Sequence, residues 1–181
     1  MRRPDGEDEM TDANRTPLNQ TAFVTTDMDA AIDFWTGTMG VGPFFVFPPL
    51  VPVKGDYRGK GDPVSYRAAI AYSGDLIVEL IVPEGPSIFQ EFLDRGRKGV
   101  QHLAAFADDM AAARTEIEAK GGRRLQGSTF GDGSEVAYFA MTPDDAIILE
   151  IAVLKPESLG LFAAIKAAGG AWDGKQRTLS L

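Results

Sequence analysis

The stretch "QTAFVTTDMDAAIDFWTGTMG" (20–40) lies over "HLAAFADDMAAARTEIEAKGG" (102–122) without a gap, and this repeat constrains the fold more than any other feature. Ala22 meets Ala104, Asp27 meets Asp109, Met28 meets Met110, Ala30 and Ala31 meet Ala112 and Ala113, and Gly40 meets Gly122. A second pair of segments agrees in the same order: "DLIVELIVP" (75–83) falls on "AIILEIAVL" (146–154), with Glu79 opposite Glu150. The chain therefore reads as one structural unit written twice.

The grammar of that unit is strand, acidic cap, helix, then more strands. "NQTAFVTT" (19–26) is β-rich and ends at Asp27, a good N-cap for a helix with Met28, Ala31, Ile32 and Trp35 on one face. Residues 41–53 are apolar but broken by prolines, which predicts a strand and an irregular loop, and "GDYRGKGDP" (55–63) reads as a polar glycine-rich loop. Residues 66–83 predict two strands joined at "SGD", and 86–99 a short helix with Ile88, Phe89, Phe92 and Leu93 on one side. A strand from 99, a helix over 109–122, a strand pair within 134–154 and an amphipathic helix over 156–170 complete the chain. The expected organisation is a polar tail (1–17), a first module with a linker helix (18–98), a second module (99–155), and a C-terminal helix and tail (156–181).

Bulk properties narrow the chemistry. Acidic residues outnumber basic ones, 26 to 18, giving a net charge of -8, which argues against a nucleic-acid partner. The absence of cysteine removes disulfides, thiolate catalysis, cysteine-ligated zinc and iron–sulfur clusters. No apolar run reaches the roughly 20 residues that span a bilayer, and the two N-terminal arginines precede no apolar stretch. A cytoplasmic protein without a membrane partner is the expectation.

The repeat also pairs polar residues. His102, the only histidine, falls on Gln20, while Glu79 falls on Glu150. Alone, His102 would read as a hydrogen-bonded structural residue, and a strand glutamate would read as solvent-facing. Glu79 inside "LIVELIV" and Glu150 inside "IILEIAV" are instead flanked by aliphatics at symmetric positions, where burial needs something to neutralise the charge.

"LNQTAFVTTDMDAAIDFWTGTMGVGPFF" (18–45), "IVELIVPEGPSIFQEFL" (77–93), "GVQHLAAFADDMAAA" (99–113) and "AIILEIAV" (146–153) together resemble the vicinal oxygen chelate superfamily, which includes glyoxalase I, methylmalonyl-CoA epimerases, extradiol dioxygenases and bleomycin-resistance proteins. The epimerase-like and glyoxalase-like branch is the most similar. The resemblance implies an α+β fold of two tandem βαβββ modules forming a curved-sheet cup, within a homodimer. It also implies a divalent metal ion (Zn, Mn, Co, Ni or Mg) held by Gln20, Glu79, His102 and Glu150. Many relatives carry histidine where this chain has Gln20, and glutamine there is a variant of the animal glyoxalase I type.

One histidine cannot supply the two-histidine, one-carboxylate set of non-haem iron oxygenases, which argues against an extradiol dioxygenase. Two carboxylates and one imidazole suit proton transfer beside a bound carbonyl, with stabilisation of the resulting enediolate. The expected activity is that of a lyase or isomerase acting on a small carbonyl or acyl-thioester substrate. Glu150 is the first choice for the catalytic base and Glu79 the second. Epimerases need another acid or base on the opposite face, and Asp62 is the nearest residue to that place. The alternative is a non-catalytic small-molecule binding or sequestering protein of the bleomycin-resistance type, with "VGPFFVFPPLVPV" lining its pocket.

Overall fold

The computed structural model describes residues 17–61 and 63–180; residues 1–16 of the polar tail, together with Asp62 and Leu181, lie outside the described residues. In chain order the elements are β1 (Gln20–Val24), α1 (Met28–Gly37), β2 (Phe44–Val46), β3 (Lys54–Tyr57), β4 (Tyr66–Ser73), β5 (Leu76–Pro83) and α2 (Ile88–Asp94). They continue as β6 (Val100–Phe106), α3 (Met110–Ala119), β7 (Arg123–Thr129), β8 (Glu135–Ala140), β9 (Ile148–Val153), α4 (Pro156–Gly170) and β10 (Thr178–Leu179). The fold is α+β, a single curved sheet with the strand order β10-β2-β4-β5-β1-β6-β9-β8-β7-β3.

The repeat reappears in the register. β1 runs parallel to β5 with Ala22 opposite Glu79, and β6 runs parallel to β9 with Ala104 opposite Glu150. These are the residues that the two sequence overlays had matched. β1 and β6 then meet antiparallel at the centre, Gln20 against Ala104 and Ala22 against His102, so the two halves exchange equivalent positions across their seam. Local capping is duplicated too. Asp27 accepts a hydrogen bond from the Ala30 amide, and Asp109 accepts one from the Ala112 amide, satisfying the same free donor at the start of each helix.

Strand alternation sorts the side chains onto two faces. Val78 and Leu80 face α1 in a core with Met28, Ile32 and Ala69, while Ala105, Ala137 and Ile151 face α3 with Ile117. Ala22, Ile81, Val136, Tyr138 and Ala152 face the other way, into the hollow of the sheet. There Phe89 of α2 joins them, so the linker helix plugs one end of the hollow. The C-terminal helix α4 lies on the same side, with Ile165 packed against Ile70 and Ile77.

Three local differences from the sequence reading have physical causes. The segment expected to be a glycine-rich loop contains β3, a strand with no apolar alternation of its own. It forms because it pairs antiparallel with the free edge of β7, Lys54 to Thr129 through Tyr57 to Gln126. Only glycine permits that approach at position 55, where a Cβ would stand 2.7 Å from the Gly127 carbonyl oxygen. β7 itself, "RRLQGST", has no apolar alternation to mark it, because its polar side chains belong to a strand sandwiched between β8 and β3. The helix expected over 109–122 ends at Ala119, since Gly121 enters the left-handed region at φ +89°. Among the described residues, no helix is long and apolar enough to cross a membrane.

Candidate metal centre

Gln20 opens β1, His102 lies on β6, Glu79 sits mid-β5 and Glu150 mid-β9, and all four side chains point into the hollow. Their exposures are 5%, 1%, 8% and 5%, so neither carboxylate has the solvent that would otherwise neutralise it. His102 Nε2 stands 2.7 Å from Glu150 Oε2 and 3.4 Å from Glu79 Oε2. Gln20 Nε2 donates to Glu79 Oε2 at 2.8 Å and to Glu150 Oε2 at 3.3 Å. The structure thus brings together all four residues singled out in the sequence. Asp62, the fifth, lies outside the described residues.

Whether this set fits a divalent ion is decided by the histidine. His102 Nδ1 lies 2.6 Å from the Gln101 side-chain oxygen, which can only accept, so the Nδ1 hydrogen points there. Nε2 is then the free nitrogen. It is buried and has no hydrogen-bond partner, although an oxygen of each carboxylate stands within 3.4 Å of it. One ligand atom from each of Glu79, His102 and Glu150 lies within 4.8 Å of the others. The Gln20 amide covers the same point, and half a turn of its terminal bond exchanges its nitrogen for its oxygen. The two carboxylates balance a divalent ion, and Glu79, His102 and Glu150 could hold one.

The electrostatics describe a proton competing for that nitrogen. Burial alone would lower the His102 imidazole, but the adjoining Glu150 and Glu79 carboxylates outweigh it and hold its pKa at about 9. Burial pushes the Glu79 carboxyl up, against the lowering influence of His102. Tyr66 and Tyr138 sit beside the cluster, and burial followed by the field of the two glutamates drives both phenols well above their ordinary value. They remain protonated donors.

Two supporting features escaped the sequence. Simple alternation would send Gln101 and His102 to opposite faces. Instead, the β1–β6 register slips, with Ala22 facing His102 but Phe23 facing Val100, and this bulge at Gln101 brings its amide round to the imidazole. Behind the ring, Tyr138 meets His102 edge-on at 5.2 Å and Phe89 meets Tyr138 at 5.4 Å, which fixes the imidazole's orientation. The tyrosine positions were visible in the sequence, but nothing in it marked them as neighbours of His102.

Gln20, Glu79 and Glu150 form the floor of a cavity of about 480 Å³, with His102 buried behind them. Its walls carry the aromatic rings of Phe47, Tyr66, Phe106, Phe130 and Phe162, and Ile70, Val136 and Leu161 are among the aliphatic side chains between them. Leu161 and Phe162 come from α4, so part of the wall is supplied by the C-terminal helix of the same chain.

Residues 19–139 match the family model described as the Glyoxalase/Bleomycin resistance protein/Dioxygenase superfamily. Among solved structures, methylmalonyl-CoA epimerase from Mycobacterium tuberculosis is similar at 20% identity and a TM-score of 0.54, covering 79% of this chain and 91% of that one. A variant of Streptomyces coelicolor methylmalonyl-CoA epimerase in complex with 2-nitronate-propionyl-CoA is similar at 21% identity and a TM-score of 0.55, covering 78% and 96%. A hypothetical protein from Bacillus halodurans C-125 is similar at 18% identity and a TM-score of 0.54, covering 77% and 94%. At these identities the likeness is one of fold. No curated protein matches the chain in sequence.

Proposed function

This chain belongs to the Glyoxalase/Bleomycin resistance protein/Dioxygenase superfamily, and from that premise we propose that it is a divalent-metal-dependent lyase or isomerase that moves a proton next to a substrate carbonyl. One observation carries the reading: a buried imidazole nitrogen without a hydrogen-bond partner stands behind two buried carboxylates that floor a cavity large enough for a small molecule.

A divalent ion bound by these residues supplies Lewis acidity toward a substrate oxygen. Glu150 takes the proton from the carbon beside that oxygen and returns it, with Glu79 as the second candidate for the same step. Both can serve because each presents Oε2 to the same point. Gln20 holds the two carboxylates together from β1. The apolar walls exclude water from the reacting centre, which strengthens every charge interaction inside it.

The test has two parts. Elemental analysis of the purified protein and of a His102→Ala variant is expected to find near-stoichiometric divalent metal in the first and none in the second. NMR in deuterium oxide is then expected to show exchange of the α proton of small carbonyl substrates by the wild type, lost in Glu150→Gln. A wild type that takes up none of Zn, Mn, Co, Ni or Mg would defeat the reading.

The aromatic lining of the cavity favours one further reading, a binding or sequestering protein without turnover. Bound small molecules with no proton exchange in the metal-loaded protein would select it.

A further inference from the structure

The charge of the cavity lining is one-sided. Its floor carries Glu79 and Glu150, and Asp132 and Glu157 also line it, while no lysine or arginine does among the described residues. Asp132 and Glu157 are exposed at the cavity rim, but Asp132 is held in place. Ser134 and Ser158 both donate to its Oδ2, at 2.7 and 2.6 Å, and the Ser134 amide donates to its Oδ1 at 2.9 Å. These bonds fix a carboxylate where the β7–β8 turn meets the start of α4. Lys155 packs along Gly133 nearby and does not line the cavity.

An ion at the floor neutralises Glu79 and Glu150 but leaves Asp132 and Glu157. A negatively charged ligand group among the rings would therefore meet aromatic carbon and, at the rim, more negative charge, with no lysine or arginine of the described residues lining the cavity to pair with it, and burying an unpaired charge is costly. An uncharged ring meets what aromatic surfaces bind best: Phe106 and Phe162 stand edge to face at 5.8 Å, and Phe47 adjoins Phe162 at 6.5 Å.

We propose that the cavity takes an uncharged, ring-bearing hydrophobic molecule whose oxygen atoms reach the Glu79–Glu150 floor, and that it excludes anionic acyl thioesters. This rests on the reading of the cavity as the substrate site, and it narrows that site to one chemical class.

The experiment uses the full chain and a matched pair of fluorescent probes that differ by one sulfonate, N-phenyl-1-naphthylamine and 8-anilino-1-naphthalenesulfonate. The neutral probe is expected to bind once per chain and at least about tenfold more tightly than the sulfonate, because only the sulfonate brings an unpaired charge into the cavity. Phe130→Arg and Phe162→Arg, on two different elements and each checked for folding by circular dichroism, are expected to shrink or reverse that ratio. Equal affinities in the wild type would overturn the proposal, as would a ratio unchanged in both folded variants. Displacement of the neutral probe by millimolar methylmalonyl-CoA would overturn it as well. Metal content is measured on the same samples. Absence of metal with the probe preference intact ends the metalloenzyme reading and supports the ligand class, so the two failures are distinguishable.

Discussion

Gln101 Oε1 stands 2.6 Å from His102 Nδ1, and this contact between sequence neighbours decides which ring nitrogen faces Glu79 and Glu150. Without it the imidazole could present either tautomer, or rotate. Gln101→Leu keeps the bulk and removes the acceptor. It is expected to weaken divalent-metal affinity by about 10- to 100-fold, the usual effect of losing the partner that orients a ligating histidine. Isothermal titration checks this, and rescue by Gln101→Glu would separate hydrogen bonding from packing. Unchanged affinity in Gln101→Leu would show that Phe89 and Tyr138 alone fix the ring.

Two buried carboxylates share one imidazole, so one negative charge is in excess until an ion binds. In the presence of a chelator, Glu79→Gln is expected to raise thermal stability by about 1 kcal/mol or more while abolishing metal binding, because it removes a charge whose burial is not repaid. The upward push of burial on the Glu79 carboxyl points the same way. A lower melting temperature for the variant would mean that His102 and Gln20 already compensate both glutamates.

Beside the plugging helix α2, Asp145 accepts from Arg58 at 3.0 Å and from Arg123 at 2.5 Å, and Arg58 also pairs with Glu91 of α2. Burial raises the Asp145 carboxyl, but the two arginines outweigh it and hold it below its ordinary 3.8. Arg58 likewise holds Glu91 below its ordinary 4.5. A depressed carboxylate contributes stability that is fully present above the unfolded value and is lost as pH falls through the folded one. Asp145→Asn is therefore expected to cost about 1–3 kcal/mol at pH 7, and the gap from wild type should close as pH drops below the ordinary carboxylate range. Asparagine tolerates the positive φ of 57° at this position, so urea titrations at pH 7 and pH 3 read the charge and not the backbone. A gap independent of pH would refute the assignment.

The duplicated caps predict duplicated energetics. Asp27→Ala and Asp109→Ala are each expected to destabilise the protein by about 1 kcal/mol, the usual cost of losing an N-cap. Because they cap different helices, the double variant should show the sum. Chemical denaturation of the two single variants and the double checks both statements.

The edge strand β3 depends on Gly55, whose missing Cβ leaves room for the Gly127 carbonyl. Gly55→Val is expected to lower stability by about 1–3 kcal/mol, with faster hydrogen exchange concentrated in β3 and β7, since overpacking must push the strands apart. Exchange raised uniformly across the sheet would place the damage elsewhere.

Much of this protein is determined by its sequence alone. The gapless repeat sets two equivalent halves, and the aspartates at 27 and 109 set where each first helix begins, because capping and side-chain periodicity act over a few residues. The register that pairs Ala22 with Glu79 and Ala104 with Glu150 repeats the sequence overlay because two equivalent halves fold alike. What only the tertiary structure decided is non-local. β3 is a strand because a distant edge needed a partner, and Gln101 reaches His102 because a bulge between β1 and β6 undoes alternation. The cavity acquires Leu161 and Phe162 because α4 folds back over the hollow, and its one-sided charge emerges from residues spread from Glu79 to Glu157. No local pattern records such contacts, because the energy that creates them comes from surfaces that meet only when the chain has folded.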